Sequence, residues 1–150
     1  MEFEKFTQKY RAVLRENKIK LFTPNDEIII SNQINFDIKS TEKSSLDYFA
    51  SSLLGGVLAG IYEFAKFKKI AILEMEGKIK FEISNSLTIL NVIGYDDSPK
   101  IELCEIKIYI SSDMSDDKFK EFTNEALKRN LIYQNLQNSL NLDIKFEQII

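Results

Sequence analysis

The chain has 150 residues, of which 44% are apolar and 29% charged, and its formal net charge is −3. This composition is typical of folded globular proteins, and a chain of this length buries roughly 68–70% of its unfolded surface, so we expect a single domain over residues 1–150 that needs no metal or disulfide. The absence of histidine and the presence of one cysteine exclude histidine-based acid–base catalysis, multi-thiolate zinc sites and disulfides within the chain.

The distribution of charge and the start of the chain indicate partners and location. Lysine and arginine form neither a basic block nor a repeating stripe along the sequence, so we expect no nucleic-acid partner. The opening residues, MEFEK, lack the basic stretch followed by an apolar stretch that marks a secretory signal, so we expect a cytoplasmic protein. We expect no cofactor.

The first forty residues predict an antiparallel meander of three strands. Residues 3–23 are typical of two strands joined by a turn at Asn17. The next turn falls at Thr23–Asp26, where proline fixes φ and is followed by asparagine and aspartate. The β-branched segment Glu27–Ser31 predicts the third strand, with residues 34–38 as its expected continuation.

A long apolar helix is predicted from Ser44 to Lys69. Ser44 is placed as its N-cap, and Asp47 follows three residues later, at the spacing of a first-turn carboxylate that bonds back to the cap. We expect the helix to be buried at the centre of the fold, because apolar residues recur through it at helical spacing. They are Leu46, Phe49, Leu53, Leu54, Val57, Leu58, Ile61 and Phe64.

One face of this helix carries small residues four positions apart, Ser52, Gly56 and Gly60. Each interior glycine costs about 1 kcal/mol relative to alanine, so we expect another helix or strand to approach this face closely. The stretch from Leu46 to Ala65 also reaches the roughly 20 residues that a membrane span needs. Polar residues within it, such as Asp47, oppose that interpretation, and we expect no membrane partner.

After the helix the period of the apolar residues changes from 3.6 to 2, which predicts strands. Residues 70–83 predict one long strand or a hairpin broken at Gly77, and Leu87–Ile93 predicts another strand. Ile101–Ile110 is the clearest strand, with a bulge expected near Leu103 and Cys104. One parity of this strand is expected to face the core: Cys104, Ile106, Ile108 and Ile110.

The last third of the chain predicts two helical segments and a closing strand. Ser115 is the expected cap of the first segment, and we interpret the acidic residues 113–117 as helix-start chemistry, because they lack the alternating ligands and the glycine of a calcium loop. The polar pair Arg129–Asn130 separates this helix from a shorter one, and Ile144–Ile149 predicts the final strand. We therefore predict an α+β fold and no metal site.

This order of elements resembles the OsmC/Ohr family of organic-hydroperoxide-resistance proteins. Residues 45–56, SLDYFASSLLGG, follow the outline in which members enter the central helix and end at Gly-Cys. Asn130–Ile132 occupies the place where the family's later helix breaks at Cys-Pro-Val, and Leu136 matches the leucine that follows. The resemblance implies antiparallel sheets wrapped around a long central helix and an intertwined homodimer in which each subunit completes the partner's sheet.

The family's chemistry needs residues that this chain lacks. The resemblance implies a peroxide-attacking cysteine on the central helix and a second cysteine that resolves the sulfenic acid, with an arginine and a carboxylate nearby. The register places Gly56 at the first position and Asn130 at the second, and Gly55 replaces Gly56 if the register shifts by one. Asp47 stands near the family's carboxylate, whereas neither arginine of the first predicted strand matches the family's arginine.

Three functions follow as hypotheses. The first is an OsmC-like homodimer without the two cysteines, with a non-catalytic binding or structural role. The second is an organic hydroperoxide reductase acting through Cys104, although its strand parity favours an inert core thiol. The third is a binder of a small apolar ligand in a pocket formed by Asp47, Gly56, Asn130 and Tyr133, where two thiols are missing.

Overall fold

The computed structural model describes residues 4–31, 34 and 36–150. Helices and strands are both present, and the strands form two three-stranded sheets, which confirms the α+β class. The chain divides into two units, residues 1–48 and 49–150. The expectation of one domain over the whole chain stays a prediction.

The first unit contains the predicted antiparallel meander, with β1 at Arg11–Arg15, β2 at Lys18–Phe22 and β3 at Glu27–Ile30. Glu16 and Asn17 both have positive φ, at 55° and 61°, as a two-residue hairpin turn requires. The turn fixes the register of β1 against β2. The start of the region predicted as β1 and the continuation expected at residues 34–38 fall partly outside the described residues.

The central helix runs continuously from Ser45 to Lys68. It consists of α1 at Ser45–Ala50, a π-helical segment at Ser51–Gly55 and α2 at Gly56–Lys68. It ends at Lys69, whose left-handed conformation, with φ 58°, stops the helical path. The predicted helix is confirmed, whereas the wider π turn in its middle was not predicted.

The second unit contains a sheet of β4 at Glu74–Ser84, β5 at Lys100–Ser111 and β6 at Leu142–Ile149. Gly77 lies inside β4, so the region is one long strand rather than a broken hairpin. β4 and β5 pair antiparallel, as expected, whereas β5 and β6 are parallel. The two helical segments between β5 and β6 return the chain to the same end of the sheet, which a parallel pair requires.

The predicted strand at Leu87–Ile93 is wrong. A short helix, α3 at Ser86–Ile89, begins this connection, and turns follow it. Two side-chain hydrogen bonds join the two ends of this connection. The Asn85 side chain donates to the carbonyl of Ser98 at 2.9 Å, and the Thr88 hydroxyl donates to the carbonyl of Asp97 at 2.7 Å. Side-chain bonds of this kind compete with strand pairing, and the apolar alternation did not reveal them.

The bulge in β5 is one residue from its predicted place. Glu82 on β4 lies opposite Leu103, and Ile83 lies opposite Ile101, so Glu102 is the extra residue. After the bulge, the prediction of which side of β5 faces the core is confirmed, because none of the four side chains on that side is more than 2% exposed. These are Cys104, Ile106, Ile108 and Ile110.

Two helices connect β5 to β6, α4 at Asp116–Lys128 and α5 at Leu131–Leu136. The Ser115 hydroxyl accepts from the backbone N–H of Lys118 at 3.3 Å, which confirms the predicted cap. α2, β5 and α4 supply the core of the second unit. Its buried apolar side chains from the helices are Leu53, Val57, Ile61, Phe64, Ala65, Phe119, Phe122, Ala126 and Leu127.

Among the described residues, one helix has the length and apolar composition of a membrane span, Ser45–Lys68. Core helices of water-soluble proteins have the same properties, so this helix alone is weak evidence for a membrane. Only 28% of its most apolar stretch is buried within the chain. Most residues of this stretch are therefore partly or fully accessible to solvent.

Candidate functional site

The two positions that the resemblance assigns to cysteines are joined by a hydrogen bond. Asn130 is 7% exposed, and its Nδ2 donates to the backbone carbonyl of Gly56 at 2.9 Å. Its Oδ1 accepts from the backbone N–H of Tyr133 at 2.9 Å and thereby caps α5. Both polar ends of the side chain are used, so Asn130 ties the start of α5 to the start of α2. We call this pair of bonds the Asn130 tie.

Gly60 makes room for the Asn130 tie. A Cβ atom built on Gly60 would lie 2.7 Å from Asn130 Nδ2, closer than real Cβ contacts. A Cβ on Gly56 would meet Ile132 Cγ1 at an ordinary 3.9 Å, and one on Gly55 would meet nothing within 4 Å. The expected close approach to the small-residue face therefore occurs at Gly60. Helical spacing predicted the stripe but not which glycine is needed.

A π-helical segment, Ser51–Gly55, directly precedes Gly56. Such segments widen the helix by one residue per turn and frequently occur at functional sites. Its residues have helical propensities like those of the flanking α-helix, so the sequence carried no signal for it. The site is thus built from the junction of this segment with α2 and from the cap of α5.

Cys104 lies on the core face of β5 and is 0% exposed. Burial raises the pKa of its thiol, because the charged thiolate is disfavoured away from water. Nucleophilic cysteines have the opposite environment, with a lowered pKa and access to solvent. This thiol is therefore placed as a small core side chain.

The remaining predicted pocket residues have structural contacts. The Asp47 carboxylate accepts from the backbone N–H of Ser44 at 2.8 Å, while the Ser44 hydroxyl accepts from the backbone N–H of Asp47 at 3.3 Å. This reciprocal pair confirms the predicted cap. Tyr133 packs against the core of the second unit. Because Asp47 belongs to the first unit, the four-residue pocket stays a prediction.

Comparison with known proteins rests on structure rather than sequence. The sequence matches no protein-family model, and no curated protein is significantly similar to it. In contrast, the structure is similar to an OsmC-like protein from Mycoplasma pneumoniae with a TM-score of 0.76 and 18% identity, over 98% of this chain and 100% of that one. The chain has an OsmC-like fold.

Two further solved structures share the OsmC-like fold. One is a putative osmotic stress induced and detoxification response protein from Psychrobacter arcticus, with a TM-score of 0.68 and 18% identity over 98% of this chain and 100% of that one. The other is an organic hydroperoxide resistance protein from Elizabethkingia anophelis, with a TM-score of 0.67 and 10% identity over 97% and 99% of the two chains. At these identities the three structures share the OsmC-like fold with this chain.

Proposed function

We propose that this OsmC-like protein is a cytoplasmic homodimer with a binding or structural role, and that it does not carry out the thiol peroxidase reaction. The Asn130 tie carries this proposal. The resemblance assigns the family's two cysteine positions to Gly56, or Gly55 one residue earlier, and to Asn130, and a hydrogen bond of 2.9 Å joins Asn130 to Gly56. A glycine and an amide cannot supply the thiolate that attacks a peroxide or the thiol that resolves the sulfenic acid.

The alternative function, a peroxidase acting through Cys104, needs a thiolate that meets a peroxide. The side chain of Cys104 is 0% exposed, so a peroxide in solvent does not reach its sulfur in the folded protein. Burial also raises the pKa of the thiol, which disfavours the thiolate. Peroxide attack by this thiol would require the sheet to open. The observations therefore favour the non-catalytic role.

The homodimer is supported by an uncovered face of the central helix. Ser52, Gly55 and Ala59 are exposed at helical spacing, followed by Tyr62, which is 49% exposed. Small exposed side chains allow a second helix to approach the backbone closely. β4, an 11-residue strand at the edge of its sheet, offers a second surface of the kind that pairs with another chain.

A small apolar ligand remains part of the proposal as one way in which a binding role could be realised. The missing thiols would leave space only where no side chain has replaced them. A Cβ on Gly56 would lie 3.9 Å from Ile132 Cγ1, an ordinary van der Waals contact, so a methyl group fits at this position. Native mass spectrometry against a library of apolar ligands tests this role, and bare protein throughout would contradict it.

The decisive experiment measures consumption of an organic hydroperoxide by the purified protein with a dithiol reductant. Cys104→Ser is the matched variant. We expect turnover at background level in both proteins and slow alkylation of the native thiol by iodoacetamide, because the thiol is reached only on unfolding. Turnover in the natural protein that is lost in Cys104→Ser would overturn the proposal and establish a peroxidase with a relocated nucleophile.

A further inference from the structure

The sheet of the first unit has two chemically different faces. Residues that lie directly opposite in an antiparallel pair share a face, and the register places Arg15 opposite Lys18 and Arg11 opposite Phe22. The side chain of Lys20 lies on the same face, opposite Val13. We call this surface the basic face and define it by Arg11, Arg15, Lys18, Lys20 and Phe22. The other face is apolar and consists of Ala12, Leu14, Ile19, Leu21, Ile28 and Ile30.

The positive charge of the basic face is only partly compensated. Its four cations share the groove with two carboxylates, Glu27, which lies 3.6 Å from Lys20, and Glu16 at the turn. Within the described part of the chain, Arg15 and Lys18 have no salt bridge. Like charges directly opposite each other destabilise a strand pair, so the Arg15–Lys18 pair is a local cost. Folded proteins retain such conflicts chiefly at functional sites.

An aromatic ring lies at one end of the basic face. Phe22 is 37% exposed, and the guanidinium carbon of Arg11 lies 5.5 Å from the centre of its ring. A groove of about 280 Å³ runs along the face and is bordered at the turn by Glu16. A cationic groove beside an exposed ring is the arrangement that binds single-stranded nucleic acids, in which bases stack on aromatic side chains and cations follow the phosphates.

We propose that the basic face binds single-stranded nucleic acid, with phosphates at Arg15, Lys18 and Lys20 and a base packed against the part of the Phe22 ring that Arg11 leaves exposed. The cations alternate with apolar residues on two strands, so the sequence contains no basic block and predicted no such partner. The hairpin register brings them together. An acidic protein segment would use the cations but not the exposed ring, which is why nucleic acid is favoured.

The first test measures fluorescence anisotropy of labelled decathymidylate with the full chain. The three proposed phosphate contacts predict a slope of about −2 for log affinity against log salt, which is about a 20-fold weakening between roughly 50 and 200 mM. Lys18→Glu is the key variant, because it creates an opposite-charge pair with Arg15 that favours the fold. We expect about tenfold weaker binding or more, with an unchanged or higher melting temperature.

Two controls make the outcome decisive. Lys145→Glu changes the net charge equally on the exposed side of β6 and should change binding less than about twofold, because Lys145 is not one of the proposed phosphate contacts. Phe22→Leu should weaken oligonucleotide binding about tenfold while leaving binding of poly-glutamate unchanged. Equal effects of Lys18→Glu and Lys145→Glu would overturn the proposal. Binding of poly-glutamate as tight as or tighter than that of an oligonucleotide of equal charge would also overturn it and assign the face to an acidic protein.

Discussion

At the scale of single residues, Asn130 is the side chain through which the candidate site is held together. Asn130→Ala removes the cap of α5 and leaves the Gly56 carbonyl without its amide partner. We expect the free energy of unfolding to fall by about 2–4 kcal/mol, from a lost cap of about 1 and a lost part-buried hydrogen bond of about 1–3. Urea denaturation measures this change.

Asn130→Ser separates the two roles of the tie. Serine is as good an N-cap as asparagine but is too short to reach the Gly56 carbonyl, so its cost should lie between zero and that of Asn130→Ala. If both variants unfold at the same urea concentration as the natural protein, the tie contributes nothing to stability.

The buried thiol of Cys104 makes stability depend on pH in the alkaline range. An unfolded cysteine ionises near pH 8.5, whereas burial raises the pKa of Cys104 in the fold. The stabilisation is therefore complete below about pH 8.5 and is lost as the pH rises toward the folded pKa, because only the unfolded chain gains from ionisation.

Cys104→Ala should lack this part of the pH dependence. We expect the stability difference between the natural protein and the variant to be constant from roughly pH 6 to 8 and to shrink above about pH 8.5. Lysine and tyrosine residues titrate in both proteins, so the difference isolates the thiol. Parallel curves of unfolding free energy up to pH 10.5 would contradict a raised pKa.

At the scale of elements, Gly60 tests whether the close approach of α2 to α5 is required. Alanine usually stabilises a helix interior by about 1 kcal/mol relative to glycine. Here its Cβ would lie 2.7 Å from Asn130 Nδ2, so we expect Gly60→Ala to destabilise the protein by about 1–3 kcal/mol. In an Asn130→Ala background, where the obstacle is absent, the same change should be neutral or stabilising. Equal effects in the two backgrounds, measured by urea denaturation, would show that the two residues do not interact.

The sequence predicted elements well where local patterns determine them. The helix cap at Ser44 and the core parity of β5 follow from side-chain chemistry and a period of two, and both are confirmed. The sequence left open whether Gly77 lies within a long strand or breaks a hairpin, because glycine is also a turn residue. In the structure it admits Leu54, whose Cδ1 would lie 2.7 Å from a Cβ at that position. A glycine that allows close packing is identical in sequence to one that allows a turn.

Contacts between distant parts of the chain were not predictable. Gly56 and Asn130 are 74 residues apart, and only the family resemblance, not their chemistry, placed them in one site. The parallel pairing of β6 with β5 depends on where α4 and α5 carry the chain, which no local pattern encodes. The sequence did not predict the basic face for the same reason. Its cations lie on two strands, and they come together only through the register of β1 against β2.

At the scale of the whole molecule, the uncovered helix face predicts the oligomeric state. Ala59 is exposed on that face, so Ala59→Glu costs the isolated chain little, whereas in a dimer it would bury an unpaired carboxylate. Light scattering should give twice the chain mass of 17.4 kDa for the natural protein and the single mass for Ala59→Glu. Asn124→Glu, exposed on α4, is the matched control and should remain dimeric.

The melting temperature gives a second readout of the same prediction. For a dimer that dissociates as it unfolds, the melting temperature rises with protein concentration, because mass action favours the associated state. Ala59→Glu should remove this dependence, and Asn124→Glu should keep it. A natural protein that scatters as a monomer of 17.4 kDa and melts at one temperature across a hundredfold range of concentration would exclude the homodimer. The exposed face, with Ser52, Gly55 and Ala59, would then have to be covered by a different protein or by water alone.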